Sequence, residues 1–362
     1  MTSKAGAGRR AVLTGFVLLG LLALMPILSV RLPPILDYPN HLARMHILAA
    51  LSSTPDLARF YRVHWSPLPN LALDAVVPWV GRITGVETAM RLFLGATLLG
   101  LAGGALVLHR TVFQRWSLWP LAAFLLLYNR MLLWGFLNYL AALAVALWAL
   151  AAWIALERKP AALRIAIGAM LATFIYLGHL AAFGCYALSI AALGLAPADG
   201  SRWSLRRAIP AIATLVPPAL LFLLAPTSGG SVEISYGNIF RKFDLPVSLF
   251  DNYDRLFDGI TFGILLIALI AGLLRGGLVM DSRMRWCVAA VLLAFLLMPA
   301  RLLSAAGIDH RLPVAIALLF VASTDWTAFR YRRGVAGVLL ALLVVRMGVI
   351  ETVWLKADRQ YD

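Results

Sequence analysis

The residue types that can do chemistry are most concentrated in residues 37–44, DYPNHLAR, directly after the first long apolar run. Pro39 is tolerated only near the start of a helix, so a helix is predicted to begin at about Asp37. With about 3.6 residues per turn, Asp37, His41 and Arg44 then lie within one narrow arc of that helix. There the carboxylate can accept a proton from an attacking hydroxyl group, and the guanidinium can pair with a phosphate. The alternative is that Asp37 caps the helix and Arg44 lies among lipid headgroups.

Two further stretches place ionisable side chains at the ends of apolar runs. His179, in the sequence YLGHL, lies between two such runs, where a histidine is costly unless it has a partner or a water-filled cavity. Asp309, His310 and Arg311 directly precede another apolar run. These three residues could bind a phosphate or a cation, and the simpler interpretation is that Asp309 neutralises Arg311.

A fourth stretch, residues 129–139, is rich in amides and aromatic rings. Asn129 and Asn138 lie there near Trp134 and Phe136. Sugar sites use such residues for hydrogen bonding and stacking, whereas membrane interfaces use them as anchors, and anchoring is the favoured interpretation of this stretch. No pair of His, Cys or acidic residues has a spacing that specifies a metal, so a divalent metal ion stays open as a cofactor.

The composition of the chain shows which elements must position these side chains. The 362 residues are 62% hydrophobic and 14% charged, against about 25% charged in soluble proteins. Because one membrane-spanning helix needs about 20 apolar residues, the chain has room for about eleven spans and for no sizeable soluble domain. The net charge of +15 does not indicate a nucleic-acid partner, because the basic residues lie in short loops between apolar runs.

We therefore predict an all-α fold, a polytopic transmembrane helical bundle that forms one domain over residues 1–362. Its spans are predicted at 11–30, 89–108, 117–129, 139–156, 163–177, 181–196, 208–225, 259–274, 286–303, 313–325 and 335–350. The first span is too long for a cleaved signal peptide. Amphipathic stretches predict helices that lie in the membrane interface. They fall within the first of two long loops, 31–88 and 226–258, at 40–51, 56–63 and 71–83.

The basic residues predict the orientation of the bundle. With a cytoplasmic N-terminus, the cytoplasmic segments hold 17 basic and four acidic residues, and the rest of the chain holds 15 and 13. This excess of positive charge predicts a multi-pass protein of a bacterial inner membrane with both long loops in the periplasm. Polar groups that converge on one side of an apolar bundle are typical of a binding site. Because successive loops alternate between the two sides of the membrane, a set of such residues is predicted to lie on the periplasmic side: Asp37, His41, Arg44, Asn129, Asn138, His179, Glu233, Asp309 and Arg311.

This layout resembles the GT-C superfamily of polytopic glycosyltransferases, which take sugars from lipid-phosphate donors. In that superfamily the first membrane helix is followed by a long outer loop, with a catalytic acid near its start and interfacial helices after it. Asp37 stands at the position of that acid, and the amphipathic stretches within 40–83 match the interfacial helices. Many members carry a second acid in this loop. In this chain it would have to come from Asp56, Asp74, Glu233 or Asp309.

The resemblance implies an inverting glycosyltransferase that moves a sugar from a polyprenyl-phosphate donor to a lipid, glycan or protein acceptor. Asp37 is then the expected general base. The residues expected to bind substrate are His41, Arg44, Asn138, His179, Asp309, His310 and Arg311. The expected partners are the lipid bilayer and the lipid-linked sugar.

Two other functions stay open at this point. A transporter or flippase of a lipid-linked or anionic substrate predicts ionisable groups buried near the middle of the membrane. A non-catalytic membrane protein predicts that substitutions at Asp37, His41 and His179 are tolerated.

Overall fold

The computed structural model describes residues 2–196, 205–225, 234–238, 240–302, 305–326 and 332–360, and it confirms the predicted all-α membrane bundle. The helices are α1 (Thr2–Ser29), α2 (Tyr38–Ala50), α3 (Pro55–Phe60), α4 (Ala72–Thr84), α5 (Val86–Phe113), α6 (Arg130–Trp134), α7 (Leu137–Ala155), α8 (Ala161–Gly178), α9 (Leu180–Leu195), α10 (Ile209–Leu223), α11 (Arg241–Asp244), α12 (Arg255–Leu274), α13 (Met284–Leu297), α14 (Leu312–Ser323) and α15 (Arg332–Asp358).

Short antiparallel strands complete the described chain: β1 (Ile234–Ser235), β2 (Leu278–Met280), β3 (Arg301–Leu302), β4 (Ala305–Ala306) and β5 (Thr324–Trp326). β3 pairs with β1 on one side and with β4 on the other, and β2 pairs with β5. The β1–β3 and β2–β5 pairs join segments that are far apart in the sequence, whereas β3 and β4 are neighbours along the chain. The strands therefore tie the ends of helices together and add no layer to the fold.

Seven helices of the described chain are long and apolar enough to cross a membrane, namely α1, α5, α7, α8, α10, α12 and α15, and α9 and α13 are shorter apolar helices. The other two predicted spans have different forms. Residues 313–325 become the 12-residue helix α14, and residues 117–129 contain a 3-10 helix, Trp119–Leu126. The 3-10 segment ends where the Asn129 amide donates to the carbonyl oxygens of Leu126 and Leu127.

The three predicted interfacial helices are also present, as α2, α3 and α4. α4 is amphipathic, because Leu73 and Val77 are buried against the bundle while Trp79 and Ile83 are exposed. At the centre of the bundle α5 packs against α7. Gly104 allows this close approach, because a Cβ atom there would lie 2.8 Å from the Cβ atom of Leu147. α2 and α4 thus pack against this pair of helices.

The bundle has two polar ends. One end, which we call the Asp37 end, joins the start of α2 to the start of α7, and there Leu36 donates its backbone N–H to the carbonyl oxygen of Leu133. At the other end, the Asp325 end, the Asp325 carboxylate accepts from Arg115 and from Ser117. All the candidate site residues that the structure describes lie at or near the Asp37 end.

Candidate functional site

Asp37 occupies the N-cap position of α2, but its carboxylate makes no capping hydrogen bond to the helix. The side chain is exposed and accepts one hydrogen bond, from the Asn40 amide at 3.2 Å. Pro39 stands in the first turn, as expected from its missing N–H group. The structure therefore does not support the alternative in which Asp37 serves to cap the helix, and its carboxylate is free to meet a substrate.

The start of α2 is held against a tight turn at residues 134–136, which we call the 134–136 turn. Gly135 has φ +90°, and a Cβ atom there would lie 2.6 Å from the Asp37 Cβ atom. The His41 Nε2 atom lies 2.9 Å from the Gly135 carbonyl oxygen. Because a carbonyl oxygen only accepts, this contact requires the proton on Nε2. The turn thus fixes Asp37 and His41 together.

The Asp309–Arg311 stretch packs against the same turn. The ring centroids of His310 and Trp134 are 5.3 Å apart, and the Arg311 guanidinium lies 4.5 Å above the Phe136 ring. The Tyr139 hydroxyl group also donates to the Arg311 carbonyl oxygen at 2.6 Å. The 134–136 turn is therefore the structural link between Asp37 and the second predicted polar stretch.

Basic side chains gather beside this turn. We call Arg130, Arg241, Lys242 and Arg311 the basic cluster. Asp309 is buried, and the nitrogen atoms of Arg241 and Lys242 lie 3.7 Å from its carboxylate oxygens. Arg130 is bonded to the Asp251 carboxylate. Arg311 donates instead to the carbonyl oxygens of Ala306 and Gly307. The cluster thus holds four cations and only two carboxylates, and the excess of positive charge suits an anionic group such as a phosphate.

His310 and Arg311 each hold a buried nitrogen that has no acceptor among the described residues, His310 Nδ1 and Arg311 Nε. The Arg241 guanidinium donates to His310 Nε2 at 2.9 Å, so the proton of the neutral ring is assigned to Nδ1. Burial lowers the pKa of His310, Asp309 opposes this shift, and the neighbouring arginines add to it. The ring is therefore held neutral, with an N–H group that lacks a partner.

Arg44 has a partner of its own in the first loop. Its guanidinium forms two hydrogen bonds to the buried Asp74 carboxylate of α4, at 2.8 and 2.7 Å. The bonds to Asp74 raise the pKa of Arg44. This pair joins α2 to α4, and it gives Arg44 a clear structural task. Both carboxylate oxygens of Asp74 already accept from Arg44, which makes Asp74 a poor candidate for a second catalytic acid.

Asn138 and His179 also serve the local structure. The Asn138 amide accepts from the backbone N–H of Leu73 at 2.7 Å and donates to the carbonyl oxygen of Asn70 at 2.9 Å, which holds the start of α4. The His179 Nδ1 atom accepts from the backbone N–H of Ala181 at 3.1 Å, and so caps α9. Its ring lies against Tyr139, and through Tyr139 it is connected to Arg311.

The remaining candidate residues are Asn129, Asp56 and Glu233. Asn129 caps α6 with its side-chain oxygen. Asp56 is exposed and paired with Arg59, and Glu233 lies outside the described residues. In the described part of the chain, no group of three or more His, Cys, Asp or Glu side chains is placed to hold a metal ion.

Arg241, Lys242 and Asp251 are site residues that were not predicted from the sequence. All three lie in the predicted loop 226–258, where Arg241 and Lys242 stand between two exposed aromatic residues, Phe240 and Phe243. Two adjacent cations on the predicted periplasmic side were the available signal, because the positive-inside rule places few basic residues there. Their acidic partner Asp309 is far away in sequence, so the cluster itself was not visible.

The fold and the site define a polytopic helical membrane protein with a polar, positively charged site at one end of its bundle. Comparison of the chain with protein-family models, with curated proteins and with solved structures finds no match. The resemblance to the GT-C superfamily therefore stays a prediction.

Proposed function

We propose that the protein is a membrane glycosyltransferase of the GT-C type, which transfers a sugar from a polyprenyl-phosphate donor to a lipid, glycan or protein acceptor. The observation that supports this most strongly is the 134–136 turn. It brings an exposed carboxylate, Asp37, and the basic cluster against one short segment. A base for the acceptor and cations for the leaving phosphate are the two groups that this transfer needs.

In the proposed reaction the acceptor hydroxyl oxygen forms a bond to the anomeric carbon of the sugar. The bond from that carbon to the phosphate oxygen breaks, and the electron pair leaves with the lipid phosphate. Asp37 takes the hydroxyl proton, and His41 helps to fix the start of α2. Arg241, Arg311 and the His310 N–H stabilise the negative charge on the departing phosphate. Arg44 supports the site indirectly, through Asp74 and α4.

The proposed location is a bacterial inner membrane, with a cytoplasmic N-terminus and the Asp37 end in the periplasm. The charge distribution supports this orientation, because the predicted cytoplasmic segments carry most of the excess basic residues. The Asp325 end includes Arg115, Arg164 and Arg283, which agrees with that side.

The test is the substitution Asp37→Asn in the full chain, reconstituted in vesicles with a panel of polyprenyl-phosphate sugars. The measurement is the release of free polyprenyl phosphate. We expect the wild type to release it from one donor, and Asp37→Asn to lose release while keeping the wild-type melting temperature. Asp56→Asn is the matched control, because Asp56 is an exposed acid of the same loop and pairs only with Arg59 in the described structure. Full release by Asp37→Asn would contradict the assignment.

The buried pair Asp258–Arg346 is the observation that favours the transporter alternative, since intramembrane ions often line substrate paths. Arg346, however, donates to the carbonyl oxygens of Phe250 and Tyr128 and to the Asp258 carboxylate. These contacts satisfy the guanidinium within the protein, which supports a structural role. Movement of an unmodified lipid-linked sugar across the vesicle membrane, with no release of lipid phosphate, would favour the transporter.

A further inference from the structure

A cavity of about 740 Å³ lies between α12 on one side and α13, α14 and the 3-10 helix Trp119–Leu126 on the other. Its walls are almost entirely apolar. α12 supplies Phe262, Leu265 and Leu269, and α14 supplies Ile316 and Phe320. A cavity of this size and composition suits an apolar ligand rather than a sugar or a nucleotide.

The cavity is long and is bordered by α12, a candidate membrane span. It extends along α12 from Phe262 to Arg275, which at about 1.5 Å per residue is about 20 Å, more than the roughly 15 Å of one hydrocarbon leaflet. α12 itself packs loosely, because only Asp258 and Thr261 are buried along its length. A chain from a neighbouring lipid can therefore reach the cavity beside α12, and an extended acyl chain fits its length.

The two ends of the cavity differ in whether their basic side chains already have partners among the described residues. At the Asp37 end, Phe295 lines the cavity and Lys242 lies 5.0 Å above its ring. The Lys242 ammonium group is already used, because it donates to the carbonyl oxygens of Phe295 and Met298 at 2.7 Å and lies near Asp309. Lys242 is therefore not available to pair with a headgroup inside the cavity.

At the Asp325 end, Arg275 lines the cavity and is exposed. Among the described residues its guanidinium has neither an acidic partner nor a hydrogen-bond acceptor. Trp119 and Trp326, whose ring centroids are 5.3 Å apart, line the same end. Paired indole rings beside an arginine are typical of the headgroup level of a membrane. The charge at this end matches an anionic headgroup.

We propose that this cavity binds one acyl chain of an anionic glycerophospholipid, whose phosphate pairs with Arg275 at the Asp325 end. The bound chain fills the space between α12 and the rest of the bundle, so the lipid acts as a structural ligand of α12. The headgroup site at Arg275 lies at the opposite end of the cavity from Lys242, and Asp37 does not line the cavity. The cavity would be filled whether or not the protein is a glycosyltransferase.

The test measures which lipid stays with the purified full chain. The protein is reconstituted in bilayers of phosphatidylcholine and phosphatidylglycerol, extracted in mild detergent, and weighed intact by native mass spectrometry. We expect one retained phosphatidylglycerol per chain. Arg275→Ala should lower the preference for phosphatidylglycerol over phosphatidylcholine by about fivefold, the effect of one cation at a membrane surface. Arg275→Lys should keep most of it, because the charge remains.

Two controls separate the site from general effects. Arg285→Ala removes an exposed cation from the same end of the bundle, outside the cavity, and should retain the lipid like the wild type. Ala317→Trp fills the cavity from α14 and should abolish retention of any phospholipid. Equal retention of both lipids by the wild type would overturn the proposal. Unchanged retention in Arg275→Ala, or retention of a polyprenyl phosphate in the cavity, would do the same.

Discussion

Gly135 and Asp37 lie so close that a single methyl group on the glycine would stand 2.6 Å from the Asp37 Cβ atom. Residues almost a hundred positions apart in the chain are thereby brought together without space between them. Gly135 also has φ +90°, a conformation that L-amino acids other than glycine rarely adopt. Two independent requirements, the backbone angle and the close approach, therefore select glycine at this position.

Gly135→Ala should displace Asp37 and reduce sugar transfer per folded molecule. The substitution also introduces backbone strain of about 1–3 kcal/mol, which lowers the melting temperature. Gly85→Ala is the matched control, because Gly85 has φ +83° and no atom within 4 Å of the position of a Cβ atom. We expect both variants to melt at lower temperature and only Gly135→Ala to lose activity per folded molecule. Equal losses of activity per folded molecule in Gly135→Ala and Gly85→Ala would show that the loss does not come from the contact with Asp37.

The lowered pKa of His310 predicts a stability that depends on pH. Burial disfavours the charged ring in the folded state, so below the ordinary histidine pKa of about 6.5 the unfolded chain binds more protons than the folded one. Stability should therefore fall as the pH drops from about 6.5 toward the pKa of the folded state, and be fully present above about 6.5. His310→Gln should weaken this dependence. Melting temperatures of the two proteins from about pH 8 to about pH 5 give the comparison, and parallel curves would contradict the prediction.

The Arg44–Asp74 pair should behave as a structural unit. Arg44→Ala leaves the Asp74 carboxylate, which is 4% exposed, without its guanidinium, at a cost of about 1–3 kcal/mol. Adding Asp74→Ala should recover part of that loss, because no buried charge is then left unpaired. A double-mutant cycle by denaturant unfolding measures the coupling. A coupling near zero between the two substitutions would contradict the structural role of the pair.

The buried Asp258–Arg346 pair should be more sensitive still. Arg346→Met leaves a carboxylate that is 3% exposed without a counter-ion inside the bundle, which typically costs about 3–5 kcal/mol. The double variant Asp258→Leu/Arg346→Met should recover most of the loss, since two apolar side chains of similar volume replace the pair. Unfolding in mixed detergent micelles measures both variants. A double variant as unstable as the single one would show that Arg346 acts mainly through Phe250 and Tyr128.

Much of the architecture was predictable because it depends on local properties of the chain. Apolar runs of sufficient length form membrane helices, and amphipathic periodicity places α2, α3 and α4 in the first loop. The segment Trp119–Leu126 is a different case. Its apolar composition predicts a span, but its 3-10 form depends on the Asn129 amide and on packing against α5 and α14. Composition alone does not contain that information.

The sequence by itself determined the class of the protein, most of its long helices and the gathering of its candidate site residues at one end of the bundle. It also indicated Asp37 as the candidate acid of the first loop. In the structure the Asp37 carboxylate is exposed and makes no capping hydrogen bond. Only the tertiary structure decided which polar groups meet. Arg44 pairs with Asp74, and Asp309 meets Arg241, because ion pairs and helix contacts join residues that are distant in sequence. Such partners are chosen by the packing of the whole bundle, and the sequence around each residue does not specify them.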